Sequence, residues 1–157
     1  MLAISTSWMG SGVSIKDWLA QVKGLGFDAV ELSYKITRDQ LKEAEPVLKD
    51  LSLKVSSIHN FCPKPDDGPS DRPPSNYYRL SSVDEQERRQ AVKWTKIAVD
   101  TARRVGAGIV VIHAGTLDFE DERSPVLFDL FVNGQTDTDK FREERKRILR
   151  SRDEKKA

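Results

Sequence analysis

Gly106-Ala107-Gly108-Ile109-Val110-Val111-Ile112-His113-Ala114-Gly115 is the stretch that decides the fold. Its run of aliphatic β-branched residues, set between glycines, reads as a strand. The strand delivers His113 to a loop that leads on to a helix. Leu53-Lys54-Val55-Ser56-Ser57-Ile58-His59-Asn60 has the same plan and also ends in a histidine. These are the only two histidines in the chain. Parallel neighbouring strands lie about 4.8 Å apart, so two imidazoles at one sheet edge can reach a common ligand or metal ion.

The pattern extends outward from these two runs. Residues 2–7 alternate apolar and small polar side chains and read as a first strand. Residues 27–33 read as a second, residues 53–58 as a third and residues 108–113 as a fourth. Each is followed by helical spacing. Ile15, Trp18, Leu19 and Val22 lie on one helical face behind a Ser14 cap with Asp17 at capping-box distance. Thr37 and Gln40 repeat the capping box before Leu41, Ala44, Leu48 and Leu51, and Pro46 predicts a kink or a break near Glu45. Ser82 with Glu85 predicts the cap of a long helix whose buried face carries Ala91, Trp94, Ala98, Ala102 and Val105. Ser124-Pro125 predicts a short extra helix stopped at Asn133-Gly134, and a last helix starts near Asp139. Strand–helix alternation of this kind implies a parallel α/β sheet with right-handed crossovers.

Residues 61–81 form the longest irregular stretch, with five prolines between Pro63 and Pro74. Loops of this length inside a compact domain are commonly functional. Arg72, Tyr77, Tyr78 and Arg79 favour a loop that covers a substrate over a bare linker.

Composition narrows the class. A net charge of +1 gives no global field for nucleic acid or anionic membrane. No apolar run approaches the roughly 20 residues of a membrane span, and the N-terminus lacks the basic region of a secretion signal. Cys62 is the only cysteine, which excludes a disulfide within the chain and fits a cytoplasmic setting. The basic helix from Phe141 to Leu149 reads as a solvated face, so nucleic acid is not an expected partner.

In parallel α/β folds, ligands bind beyond the carboxyl ends of the strands. Trp8, Glu31, His59, Asn60 and His113 fall there. One histidine at a strand end is more often a hydrogen-bonded packing residue than a ligand. Two at equivalent positions, with none elsewhere, favour a site. Gly10-Ser11-Gly12 imitates half of a dinucleotide-binding fingerprint, but Ile15 stands where the third glycine belongs.

Gly26-Phe27-Asp28-Ala29-Val30-Glu31-Leu32, Val55-Ser56-Ser57-Ile58-His59-Asn60 and the Gly106–Gly115 stretch together resemble the xylose-isomerase-like barrel superfamily of sugar isomerases and epimerases, which also holds the endonuclease IV group. The resemblance implies an eight-stranded βα barrel with a divalent metal (Mn, Zn, Mg or Co) at its carboxyl face. It implies proton transfer beside a carbonyl of a sugar or sugar phosphate. In the isomerase branch, Glu31, His59, Asn60 and His113 are expected to line the sugar pocket, with Trp8, Arg72 and Tyr78 around it. In the endonuclease branch, which acts on abasic DNA, His59 and His113 are expected as metal ligands.

A complete barrel of this type runs to about 250 residues. The expectation is therefore a single truncated domain over 1–157, the parallel (βα)4 half of a TIM barrel, with a long loop after strand 3 and an extra short helix after strand 4. The Met1 start places the loss at the C-terminus. The later-strand carboxylates of the metal site, and the acid and base residues, would then be absent, leaving this chain inactive alone and the metal to the complete enzyme. Four strands cannot close a barrel. The expected partners are a small sugar substrate and either a second copy of the chain or a C-terminal half-barrel. A non-catalytic half-barrel working by association is the remaining alternative.

Overall fold

A computed structural model of the protein describes residues 1–115 and 124–154. The elements follow the order β1 (Ala3–Ser5), α1 (Ile15–Gly24), β2 (Ala29–Leu32), α2 (Arg38–Asp50), β3 (Lys54–His59), α3 (Glu85–Val105), β4 (Val110–Val111), α4 (Pro125–Val132) and α5 (Asp139–Glu154). The four strands form one parallel sheet in the order β1-β2-β3-β4. This is the partial βα barrel expected from the alternation of strands and helices.

One face of the sheet is packed by helices. Ile15, Trp18, Leu19 and Val22 of α1 and Leu41, Ala44 and Leu48 of α2 join Val30, Leu32, Val55 and Ile58 in the main core. Ala98 and Ala102 of α3 complete it. Ile4 and Val110, which pair with Val30 and Ile58, pack against the same cluster. Ser5, Glu31, Ser57, His59 and Val111 therefore belong to the opposite face.

That partition depends on an irregularity in β3. Val30 pairs with Val55, but the next residue, Glu31, pairs with Ser57. Ser56 is the extra residue of a β-bulge, and its hydroxyl donates to the Val30 carbonyl at 3.1 Å. Side chains alternate along a strand, so one inserted residue exchanges the faces of everything beyond it. Val55 and Ile58 are three residues apart, yet both face the helices. Ser57 and His59 consequently share the face of Glu31.

The helix boundaries test the local readings. Ser14 caps α1, and Thr37 with Gln40 forms a reciprocal capping box on α2. α2 runs through Pro46 as one helix, so the break that was one of the two expectations there does not occur. Pro46 lies on the exposed side, where water can take the Lys42 carbonyl left without its donor, while Leu41, Ala44 and Leu48 hold the other side to the core. The cap of α3 is Asp84, not Ser82: its carboxylate accepts from the Gln86 amide at 2.8 Å. Ser82 is drawn aside to Glu87. Gly106 closes α3 in the left-handed region, with φ 74°.

β4 is the shortest strand, although its sequence is the most apolar. Only Val110 and Val111 pair, and Ile109 and Ile112 are 60% and 46% exposed. Among the described residues it is an edge strand, paired on one side only. Apolar content records what a strand is built to bury; pairing depends on what lies beside it. β1 is the other edge and is three residues long, its expected continuation being a 3-10 turn over Thr6–Trp8. β2 and β3 also differ from the expected bounds by a residue or more, β3 reaching His59. α4 is capped by Ser124 and stops at Asn133, as expected. No helix among the described residues is long and apolar enough to cross a membrane.

Candidate functional site

The bulge and the strand order bring three of the expected residues together at the carboxyl edge of the sheet. The rings of His59 and His113 lie 5.3 Å apart, centre to centre. His59 Nδ1 is 3.4 Å from Glu31 Oε1, within ion-pair range but outside hydrogen-bond geometry. The Ser57 hydroxyl donates to Glu31 Oε2 at 2.8 Å. Tyr34, just past β2, presents its ring edge-on to both imidazoles at 5.7 and 6.5 Å. Glu31 and His59 are each about one-fifth exposed, and His113 is exposed. The cluster is a polar wall with two imidazoles, one carboxylate and one phenol.

The other expected residues lie differently. Asn60 follows His59 and so turns to the helix side. It is buried, and its amide donates to Thr95 Oγ1 on α3 at 2.9 Å. Trp8 ends the turn after β1 and is 78% exposed. Arg72 and Tyr78 are engaged within the long loop. Tyr78 donates to the Asp67 carbonyl, and Arg72 to Glu87 at 2.9 Å.

Glu87 is the fastening point of that loop. It also accepts from the backbone amide and guanidinium of Arg79 and from Ser82 Oγ. Burial alone would raise its pKa, but the hydrogen bonds from Arg79 and Ser82 and the Arg79 charge outweigh it and hold the carboxyl at about 2. Phe61 and Tyr77 from the loop pack on Trp94 of α3, with Tyr78 against them. Beside β3, Cys62 is a free, buried thiol in the main core, pushed up to about 12 by burial against the pull of Arg104.

Sequence reasoning missed Tyr34, Ser57 and Glu87. Tyr34 lies three residues after Glu31, and that spacing from a strand-end carboxylate was the available signal. Ser57 had none, because the bulge that turns it inward leaves no mark in composition. Glu87 was hidden by the stronger-looking Ser82–Glu85 pattern.

The fit to a metal is incomplete. Among the described residues, no three His, Cys, Asp or Glu side chains are grouped so as to hold a metal ion. Glu31, His59 and His113 match in number the three protein ligands of a catalytic zinc site, but as placed they do not gather around one point.

Fold and site together define a parallel βα half-barrel with a polar cluster beyond its strand ends. The family model described as xylose isomerase-like TIM barrel matches residues 19–151, and the chain belongs to that family. A search of curated proteins gives no significant match. Among solved structures, the chain is similar to the apo 3-keto-D-glucoside 4-epimerase YcjR of E. coli, with 19% identity and a TM-score of 0.54 over 86% of this chain and 51% of that one. It is also similar to a D-psicose 3-epimerase solved in the presence of D-fructose, with 17% identity and a TM-score of 0.50 over 90% of this chain and 48% of that one. The chain thus spans about half the length of these structures.

Proposed function

We propose that this chain supplies the first four βα units, and one wall of the pocket, of a sugar or sugar-phosphate isomerase or epimerase. The observation that carries the reading is the convergence of Glu31, His59 and His113 at the carboxyl edge of the sheet. Family membership and the two epimerases of like fold support it. A sugar offers hydroxyls that both donate and accept. The imidazoles can do either, the carboxylate accepts, and Tyr34 adds a ring and a hydroxyl. These groups bind and orient the polyol. The reaction class is proton transfer at the carbon beside a carbonyl, and the acid and base that move the proton are not assigned to residues of this chain. A divalent metal would need ligands beyond Glu31, His59 and His113. The proline-rich loop, with Arg72 and Tyr78 in it, covers the substrate, and Trp8 borders the pocket from β1. The lone Cys62 thiol suits a reducing cytoplasm.

His59→Ala and His113→Ala should each weaken binding of a ketose or its non-reacting polyol analogue about tenfold, or about 1.4 kcal/mol. Titration calorimetry on the purified chain measures this, with thermal unfolding as control. A lowered unfolding midpoint with unchanged affinity would return both histidines to packing roles.

The open edges favour an assembly. β1 and β4 run in the same direction, so a two-fold axis along the strands pairs β4 of one copy with β1 of another and closes eight parallel strands. Ile109 and Ile112 would be covered in that arrangement. Native mass spectrometry should give a dimer, and a monomer at high concentration would refute self-closure.

A further inference from the structure

We infer that Ser57 and Glu31 are a positioning pair that fixes His59 as the tautomer with its proton on Nδ1, leaving Nε2 as an acceptor for a ligand hydroxyl. The use of that acceptor rests on the proposed sugar site; the tautomer does not.

The bulge at Ser56 puts three side chains in a row on one face. Ser57 pairs with Glu31 across the strands, and His59 is two residues further along β3. Ser57 Oγ occupies Glu31 Oε2 at 2.8 Å, which orients the carboxylate and leaves Oε1 turned to His59. The Nδ1 atom is buried and has no hydrogen-bond partner, and Glu31 Oε1 at 3.4 Å is the polar atom in ion-pair range. The imidazole as a whole is 21% exposed, so its accessible part lies away from Nδ1. Tyr34 and His113 are the other titratable groups packed around the ring.

A carboxylate only accepts hydrogen bonds. If Nδ1 carried a lone pair, two electron-rich atoms would face each other in a buried setting. An N–H there turns the same contact into an attraction. The partner of one ring nitrogen thus decides the state of the other. The distance exceeds a good hydrogen bond, as polar contacts in unliganded sites often do before a ligand tightens them.

The test is long-range proton–nitrogen correlation NMR on the 15N-labelled full chain, at a pH where both imidazoles are neutral. Only two histidines are present, so His113→Gln identifies the His59 signals. The expected wild-type pattern is a pyrrole-like Nδ1 and a pyridine-like Nε2. Glu31→Gln should shift both resonances toward the opposite tautomer, because an amide can face either form of the ring. Ser57→Ala, which removes only a hydroxyl, should shift them in the same direction by less and serves if the first variant fails to fold. A wild-type His59 protonated on Nε2, or a pattern unmoved in both variants, overturns the pairing whether or not a sugar binds. The expected pattern without sugar binding upholds the pairing and removes the proposed polyol site.

Discussion

Glu87→Ala is expected to unfasten the long loop from α3 and to lower stability by about 2–4 kcal/mol. The carboxylate gathers Arg72, Arg79 and Ser82, and its side chain is only 13% exposed. Removing it takes away the carboxylate that Arg72 and Arg79 share. Denaturant unfolding reads the loss. Limited trypsin digestion reads its location, since cleavage after Arg79 should become faster than elsewhere, the bond after Arg72 being protected by Pro73. The same carboxylate sets a pH dependence. Its pKa falls from the ordinary 4.5 to about 2 in the folded protein. The contribution is therefore complete above about 4.5 and is lost as the pH falls toward about 2. Glu87→Gln removes the titrating group, so its unfolding midpoint should fall less steeply with acidification than that of the wild type. Parallel profiles would mean that the loop is held chiefly by its aromatic packing.

The second large effect is expected at Gly68. A β-carbon built there lands on the ring of Tyr77. That ring is buried with Phe61 and Trp94, so it cannot step aside without disturbing them. Gly68→Ala should displace Tyr77 and cost about 3 kcal/mol, the upper part of the usual range for overpacking. Near-ultraviolet circular dichroism should change as Trp94 and Tyr77 lose their fixed setting, while the far-ultraviolet signal of the helices stays. Gly68→Ala combined with Tyr77→Ala should recover part of the loss. No recovery would place the clash elsewhere.

These two sites also mark where sequence reading reached its limit. Periodicity identified the buried stripes of α1, α2 and α3 because helical spacing is set by local geometry. It placed Glu31, His59 and His113 at strand ends for the same reason. It allowed a break at Pro46 that does not occur, since tertiary packing of one face outweighs a missing backbone donor on the other. It overestimated β4, since pairing depends on neighbours and not on apolar content. The network of Glu87 joins residues 72, 79, 82 and 87 across a loop and a helix, and no local pattern announces such a join. Asn60 looked like an extension of the His59 site, but adjacent residues on an extended chain point opposite ways, and Thr95 claims its amide.

The extra residue in β3 separates the numbering of the strand from its faces. Deleting Ser56 would take out the bulge and leave Val55 and Ile58 toward the helices, and Ser57 and His59 beside Glu31, because those residues already pair as a regular strand would. Removing one residue between Ser57 and His59 would do the opposite and turn the imidazole into the helix-packed core. Related chains can therefore carry or lack a residue at position 56 and still share the site. Alignments that open a one-residue gap there match the histidine together with the surface to which it belongs.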